Sequence, residues 1–252
     1  MPSINIVIGT PRSGSTQMSH AVSLFGKLAL LNEPSNVIMP SQIEDGYLDA
    51  DFERLEVRNK IIANEGRGVN WYVDLLIDSG IEVAKLVPLK HHTSTTWVSI
   101  EDISDLISHP LVDRVVLTHR ENIFKQNVSY CISRKLNFFH GDKNTIRKTK
   151  IGAIDPDVFR WYLRVLDNHS SQIKLLSKNK KCKLCKYEDF YSINGEQEQH
   201  WKGLFAFLGH DYDVNTMKIV NRKRYNGPDT YSKIDNMQEL RGIFKEMMNE
   251  SC

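Results

Sequence analysis

Residues 4–16 read Ile-Asn-Ile-Val-Ile-Gly-Thr-Pro-Arg-Ser-Gly-Ser-Thr, and their order decides the fold. Ile4 to Ile8 is a short β-branched run closed by Gly9, the pattern of a buried strand. From Ser15 the period changes: Met18, Val22 and Phe25 fall on one helical face, with Gly26 as the stop. A strand passing through a glycine-bearing turn straight into a helix opens a parallel α/β sheet. In the turn, four residues separate Gly9 from Gly14. That spacing lets main-chain N–H groups and a helix N-terminus surround an anion, and Ser15 and Thr16 add hydroxyl donors.

The residue after the second glycine is Ser15, where a nucleoside-triphosphate loop carries the lysine that reaches the outer phosphates. The nearest cation is Arg12, inside the turn. Positive charge is thereby moved from a terminal phosphate toward a 5′-phosphate and whatever is attached to it.

Further along, strands and helices alternate. Phe52, Leu55 and Ile62 suggest one helix, and Trp71–Ser79 another, ended by Gly80. Ile81–Leu89 reads as a strand, Ser99–Asp102 as a modified capping box opening a helix that stops before Pro110, and Arg114–His119 as a strand. Ile123, Phe124, Asn127, Val128, Cys131 and Ile132 follow at helical spacing. A polar, basic loop spans 141–150, and Asp155-Pro156 opens a long helix with Phe159, Tyr162, Leu166, His169, Ile173 and Leu176 inward. Cys182–Tyr187 is a strand candidate, Trp201–Leu208 a helix ended by Gly209, and Leu240, Ile243, Phe244 and Met247 line a last helix. The expected architecture is one α/β domain over 1–252, a parallel sheet flanked by helices, with its ligand at the carboxyl ends of the strands.

The 252-residue chain is 40% hydrophobic and 25% charged, with 14 Gly, 8 Pro and 4 Cys. Those figures exclude a collagen, a disordered tail and a disulfide scaffold. No apolar run approaches a membrane span, and no basic n-region precedes the first apolar stretch, so a cytoplasmic location is expected. The formal charge of +2 hides an asymmetry: 8 basic and 14 acidic residues in 1–110, 25 and 17 in 111–252. A basic second half suits nucleic acid, acidic lipid or a phosphate-bearing small molecule. The aromatic-rich basic sheet of nucleic-acid modules is absent. Cys182 and Cys185 are three apart in a strand, on opposite faces, and no second pair completes a zinc site.

The turn resembles the 5′-phosphosulfate loop of sulfotransferases that use 3′-phosphoadenosine-5′-phosphosulfate (PAPS). TPRSGST (10–16) is similar to the loop of the bacterial carbohydrate enzymes, whereas many eukaryotic cytosolic members carry Lys at the place of Arg12. The resemblance implies a second anion site, an arginine ending a central strand with a serine in the next helix. Here Arg120 follows VVLTH, and Ser129 lies nine residues on. Arg120, Asn122, Lys125, Gln126 and Ser129 match the string of the bacterial group acting on trehalose or nodulation-factor sugars. Tyr187-Glu188-Asp189-Phe190 and Asn32-Glu33-Pro34 are weaker matches, the former read as a structural element. A guanidinium grips phosphate with two hydrogen bonds, and a serine hydroxyl donates a third.

The implied activity is transfer of a sulfuryl group to a hydroxyl of a sugar, glycolipid or small molecule, with no metal and no nucleic-acid partner. Pro11, Arg12, Ser13, Gly14, Ser15, Thr16, Arg120 and Ser129 would hold the donor. Arg12 would also neutralise the leaving phosphate. The resemblance implies two sources for the general base, Glu33 or the pair His91 and His92. Lys85 and Lys90 are candidates to meet the sulfuryl oxygens, and Arg222, Lys223 and Arg224 to fold over the 3′-phosphate. Two other classes stay open. A small-metabolite kinase would need Lys at position 15 and a Mg²⁺ aspartate. A non-catalytic nucleotide binder would need only the loop.

Overall fold

Five parallel strands form the sheet in the computed structural model, which describes residues 2–26, 30–32, 55–64, 67–86, 100–136, 149–191, 197–215 and 228–250. The elements begin with β1 (Ile4–Gly9), α1 (Ser15–Gly26), β2 (Leu30–Asn32), α2 (Leu55–Ala63), α3 (Val69–Asp78), β3 (Val83–Leu86) and α4 (Ile100–Ser108). They continue with β4 (Val112–His119), α5 (Ile123–Lys135), α6 (Pro156–Leu176), β5 (Cys182–Lys186), α7 (Tyr187–Tyr191), α8 (Gln197–Leu208), a 3₁₀ turn at Pro228–Lys233 and α9 (Met237–Glu250). The described chain gathers into two compact units, Met1–Glu121 with Gln172–Val220, and Asn122–Ser171 with Asn221–Cys252.

The first unit holds the sheet, in the order β2-β3-β1-β4-β5, with every pairing parallel. β1 lies in the middle because it is apolar on both faces, as a strand covered on both sides must be. Ile4, Ile6 and Ile8 join Ala84, Leu86, Val115 and Leu117 on the face covered by α2, α3, α4 and the end of α6. Val7, Val83, Val116 and Cys185 look the other way, onto Met18, Ala21 and Val22 of α1 and the aromatic group of α7 and α8. In that group Phe190 meets Trp201 edge-on at 4.7 Å, and Trp201 stacks on Phe205. The register between β1 and β4 slips by one residue between Ile4 and Ile6, which is why Val112 and Val115 share a face.

The second unit is helical. Asn122 Oδ1 accepts the Lys125 N–H at 2.9 Å and caps α5, while Asp155 Oδ1 accepts the Asp157 N–H at 2.8 Å and caps α6. Pro156 occupies the first turn of α6, where its missing N–H costs nothing. Tyr130 stacks on Tyr162 with 3.6 Å between ring centroids, and Phe124 meets Phe159 and Phe244 edge-on. Asn236 exchanges two 2.9 Å hydrogen bonds with the Ile154 main chain.

The architecture expected from the alternating pattern is the one that forms. β2 escaped the sequence reading because three residues are too few to show an alternation. The strand expected to run to Tyr187 ends at Lys186. Tyr187 instead opens α7, where it pairs with Tyr191 one turn on, ring centroids 4.8 Å apart. Cys182 and Cys185 do face opposite sides of the sheet, and burial pushes their thiols up to about 11 and about 12, which keeps both protonated at neutral pH. Among the described residues no helix is long and apolar enough to cross a membrane, and no group of three or more His, Cys, Asp or Glu side chains gathers at metal-binding distance.

Burial also lowers the pKa of His119 in β4 and of His169 in α6 below the ordinary 6.5. The unfolded chain takes up these two protons near that value, and the folded chain only at lower pH. Stability is therefore fully present above the unfolded pKa and declines as pH falls through the window beneath it. Thermal unfolding followed between about pH 7.5 and 5 should show Tm falling on the acid side, and His169→Gln should flatten the decline. A flat profile in the wild type would contradict neutral burial of these side chains.

Candidate functional site

The turn after β1 leaves the centre of the sheet at its carboxyl edge, where a parallel sheet of this kind offers a crevice. It is tight: the Ser13 N–H donates to the Thr10 carbonyl at 3.1 Å, and the Met18 N–H meets the Gly14 carbonyl at 3.0 Å as α1 begins. The first-turn N–H groups of a helix have no intrahelical acceptor, so the start of α1 beside the loop suits an anion. Thr118 of β4 lies opposite Gly9 and anchors the turn from beneath. Its Oγ1 donates to the Ile8 carbonyl at 3.3 Å and stands 2.7 Å from Ser13 Oγ, so Ser13 is the donor in that pair. Both hydroxyls are buried.

Two positions explain the glycines. A Cβ on Gly9 would lie 1.8 Å from Thr118 Oγ1, 2.7 Å from Ser13 Oγ and 2.9 Å from Ser15 Cβ, so the main chain approaches too closely for any side chain. Gly14 has φ +87°, and a Cβ there would stand 2.9 Å from both Tyr187 and Tyr191 of α7. Between them Arg12 adopts φ +66°, the one non-glycine residue at positive φ among the described residues. Backbone strain of this kind gathers at functional loops.

Three cations converge on the loop. Arg12 is in it. Lys85 of β3, 2% exposed, donates from Nζ to Thr16 Oγ1 at 2.6 Å. Arg120, at the exit of β4, reaches the Arg12 carbonyl with a terminal nitrogen at 3.4 Å, while its Nε lies 3.9 Å from Glu188 Oε1. The Arg120 side chain is 13% exposed, and its Nε is sealed from solvent with no hydrogen-bond partner among the described residues. Of five N–H donors, one meets a carbonyl at a long distance. A guanidinium so placed is poised to accept an anion, and the loop beside it is built for another.

The first unit thus brings together Pro11, Arg12, Ser13, Gly14, Ser15, Thr16 and Arg120. Ser129 belongs to the second unit, buried in α5, with its carbonyl accepting the Ser133 hydroxyl at 3.0 Å. Glu33, Lys90, His91, His92, Arg222, Lys223 and Arg224 lie outside the described residues. Sequence reasoning missed Thr118, Tyr187 and Glu188 as parts of the site. The Tyr187-Glu188 string was visible, but its contacts, Tyr187 with Arg120 and Glu188 with the Glu121 N–H, each span 67 residues and no spacing rule announces them.

No family model matches the chain, and no curated protein matches it. Solved structures similar to it include a sulfotransferase from Alicyclobacillus acidocaldarius, 13% identical, covering 99% of this chain and 96% of that one with a TM-score of 0.46. Sulfotransferase STF9 from Mycobacterium avium is 12% identical over 99% of this chain and 76% of its own, with a TM-score of 0.49. Mouse sulfotransferase SULT7A1, complexed with PAP, is 10% identical over 98% of this chain and 89% of its own, with a TM-score of 0.45.

Proposed function

We propose that this protein is a sulfotransferase, moving the sulfuryl group of PAPS to a hydroxyl of a sugar, glycolipid or other small molecule. The observation that carries the reading is the arrangement of two arginines on one anion loop. Arg12 sits inside the loop, Ser15 stands where a triphosphate loop has its lysine, and Arg120 adds an under-used guanidinium whose terminal nitrogen already touches the Arg12 carbonyl. A ligand with two separate anionic ends suits that pair.

In this reading the N–H groups of the loop and α1, with Ser15, Thr16 and Arg12, hold the 5′ end, and Arg120 holds the 3′-phosphate. PAPS supplies the sulfuryl group. Sulfuryl transfer makes the demands of phosphoryl transfer: an in-line nucleophile and neutralisation of charge growing on the leaving phosphate. Arg12 and the helix N-terminus supply that neutralisation without reorganising. Lys85, held on Thr16, places a further cation at the end of the loop. Removal of the acceptor's proton falls to Glu33 or to His91 and His92, on the family resemblance alone.

One observation favours a second reading. Lys85 brings a cation to the end of the loop where outer phosphates of a triphosphate would lie, which suits a small-metabolite kinase. A single binding series separates the two. Adenosine 3′,5′-bisphosphate at about 100 times its Kd should raise Tm by about 5 °C or more. ATP with Mg²⁺ and a single-stranded oligonucleotide should give little change. Stabilisation by ATP with Mg²⁺ and none by the bisphosphate would replace the first reading by the second. Transfer of labelled sulfate from PAPS to a panel of sugars, lipids and phenols then identifies the acceptor.

A further inference from the structure

An unbalanced run of charge leads into β5, the last strand in the sheet order. Residues 172–186 hold six lysines and no Asp or Glu. On α2 and α8 exposed lysines stand beside carboxylates one helical turn away, Lys60 at 2.7 Å from Glu56 and Lys202 at 2.8 Å from Glu198. Lys186, at the end of the run, pairs with Glu121. Lys181 is already used: its Nζ donates to the His109 and Val112 carbonyls at 2.8 and 2.7 Å and ties the start of β5 to β4. Lys178, Lys180 and Lys183 have no carboxylate within ion-pair distance among the described residues.

The turn that carries two of them is fixed by its own hydrogen bonds. The Lys178 N–H donates to the Leu175 carbonyl at 3.2 Å, Asn179 Oδ1 accepts the Lys181 N–H at 2.9 Å, and the Cys182 N–H returns to the Asn179 carbonyl at 2.9 Å. Lys178 and Lys180 are exposed on it. Leu175, in the last turn of α6, is 59% exposed, although Ile173 and Leu176 beside it are buried. On the α8 side of β5, Lys183 Nζ stands 5.7 Å from the centroid of the Phe207 ring, and the Arg114 guanidinium carbon 5.4 Å from the same centroid. Arg114 Nε donates to the Phe207 carbonyl at 3.1 Å, and Asp113, 3.6 Å from Arg114, offsets one of the two cations. Like charges held together on a fixed surface repel, and an arriving anion relieves that repulsion.

These groups gather where β4 and β5 begin, the opposite end of the sheet from the anion loop; Arg114 to His119 spans about 16 Å of strand. Cations spread over a turn and a strand suit repeated negative charge better than a single ion. An exposed leucine among them suits a partner with an apolar interior. We propose that Lys178, Lys180, Lys183 and Arg114, with Leu175, form a docking surface for an anionic lipid bilayer. Lysines near such a surface and an apolar side chain entering it are the two signals that hold a peripheral protein. Docking by this end leaves the carboxyl edge of the sheet, and the loop on it, in water. The proposal does not depend on the reaction assigned to that loop. Lysines on an edge strand also oppose pairing between sheets, a role that involves no lipid.

Co-sedimentation with vesicles tests it. The wild type should pellet with phosphatidylcholine vesicles containing about 30% phosphatidylserine, and stay in solution with phosphatidylcholine alone. Raising NaCl from about 0.1 to about 0.5 M should release it. The triple variant Lys178→Gln/Lys180→Gln/Lys183→Gln should partition about 100-fold more weakly, with Tm within about 2 °C of wild type because no ion pair is lost. Leu175→Ser should weaken the partition about fivefold and keep its salt response. Equal pelleting of the wild type with neutral vesicles, or wild-type pelleting of the triple variant, overturns the proposal. Binding of a single-stranded oligonucleotide without binding of the anionic vesicles would give the surface to nucleic acid instead. Self-association of the triple variant, with no vesicle binding by the wild type, would reduce these lysines to guards of the sheet edge.

Discussion

Gly9→Ala should destabilise the protein by about 3 kcal/mol and abolish binding of 3′,5′-phosphorylated nucleotides. The added methyl would stand 1.8 Å from Thr118 Oγ1 on the neighbouring strand, far inside contact distance. Relief requires Thr118 to rotate or β1 to separate from β4. Rotation breaks the hydrogen bond to the Ile8 carbonyl and the pair with Ser13, leaving buried hydroxyls unsatisfied. Separation opens the centre of the sheet, where Ile6 and Ile8 are fully buried. Either route displaces Ser13, and with it the turn closed by the Ser13 N–H on the Thr10 carbonyl. Denaturant unfolding and titration calorimetry measure the two effects. Thr118→Ala removes the nearest clashing atom, so the double variant should recover part of the stability. Contacts to Ser13 and Ser15 remain close, so recovery stays incomplete. A Gly9→Ala protein with wild-type Tm would mean that the loop does not approach β4 as described.

Arg120→Ala should weaken adenosine 3′,5′-bisphosphate about 100-fold and adenosine 5′-monophosphate only slightly. A charge-assisted bidentate contact to phosphate contributes about 1.5–3 kcal/mol, and nothing else described at the exit of β4 replaces it. Folding should survive, because the carboxylate that loses its partner, Glu188, is one-third exposed and keeps the Glu121 N–H. Arg120→Lys restores the charge without the fork and should recover only part of the affinity. Equal losses for both nucleotides would assign Arg120 to the 5′ end or to the loop's stability. No loss would remove it from the site.

Much of the first unit was legible because its signals are local. A β-branched run, two glycines with four residues between them and a change of period at Ser15 describe β1, the loop and α1 within 23 residues. Arg120 was legible by its place after a clear strand. What surrounds these residues was not. Thr118 matters through the register of β4 against β1, and Lys85 reaches Thr16 only because β3 is the other neighbour of β1. Strand order is a long-range property that periodicity does not carry. Tyr187 read as the last residue of a strand because an aromatic extends a β pattern as readily as it opens a helical turn. The turn won because one residue in strand geometry could not place Tyr187 and Tyr191 side by side against Gly14.

Arg12 sits at φ +66°, where a residue bearing Cβ costs about 1–3 kcal/mol and glycine costs almost nothing. Selection for fold robustness alone would therefore drift this position toward glycine, which would relieve the main chain and strip the loop of its own guanidinium. Heat-challenge enrichment of a mutant library should return glycine at residue 12 among its winners, and those winners should be the ones that no longer hold the nucleotide. Under the proposed function, thermal endurance and ligand capture are set against each other at a single residue of this chain.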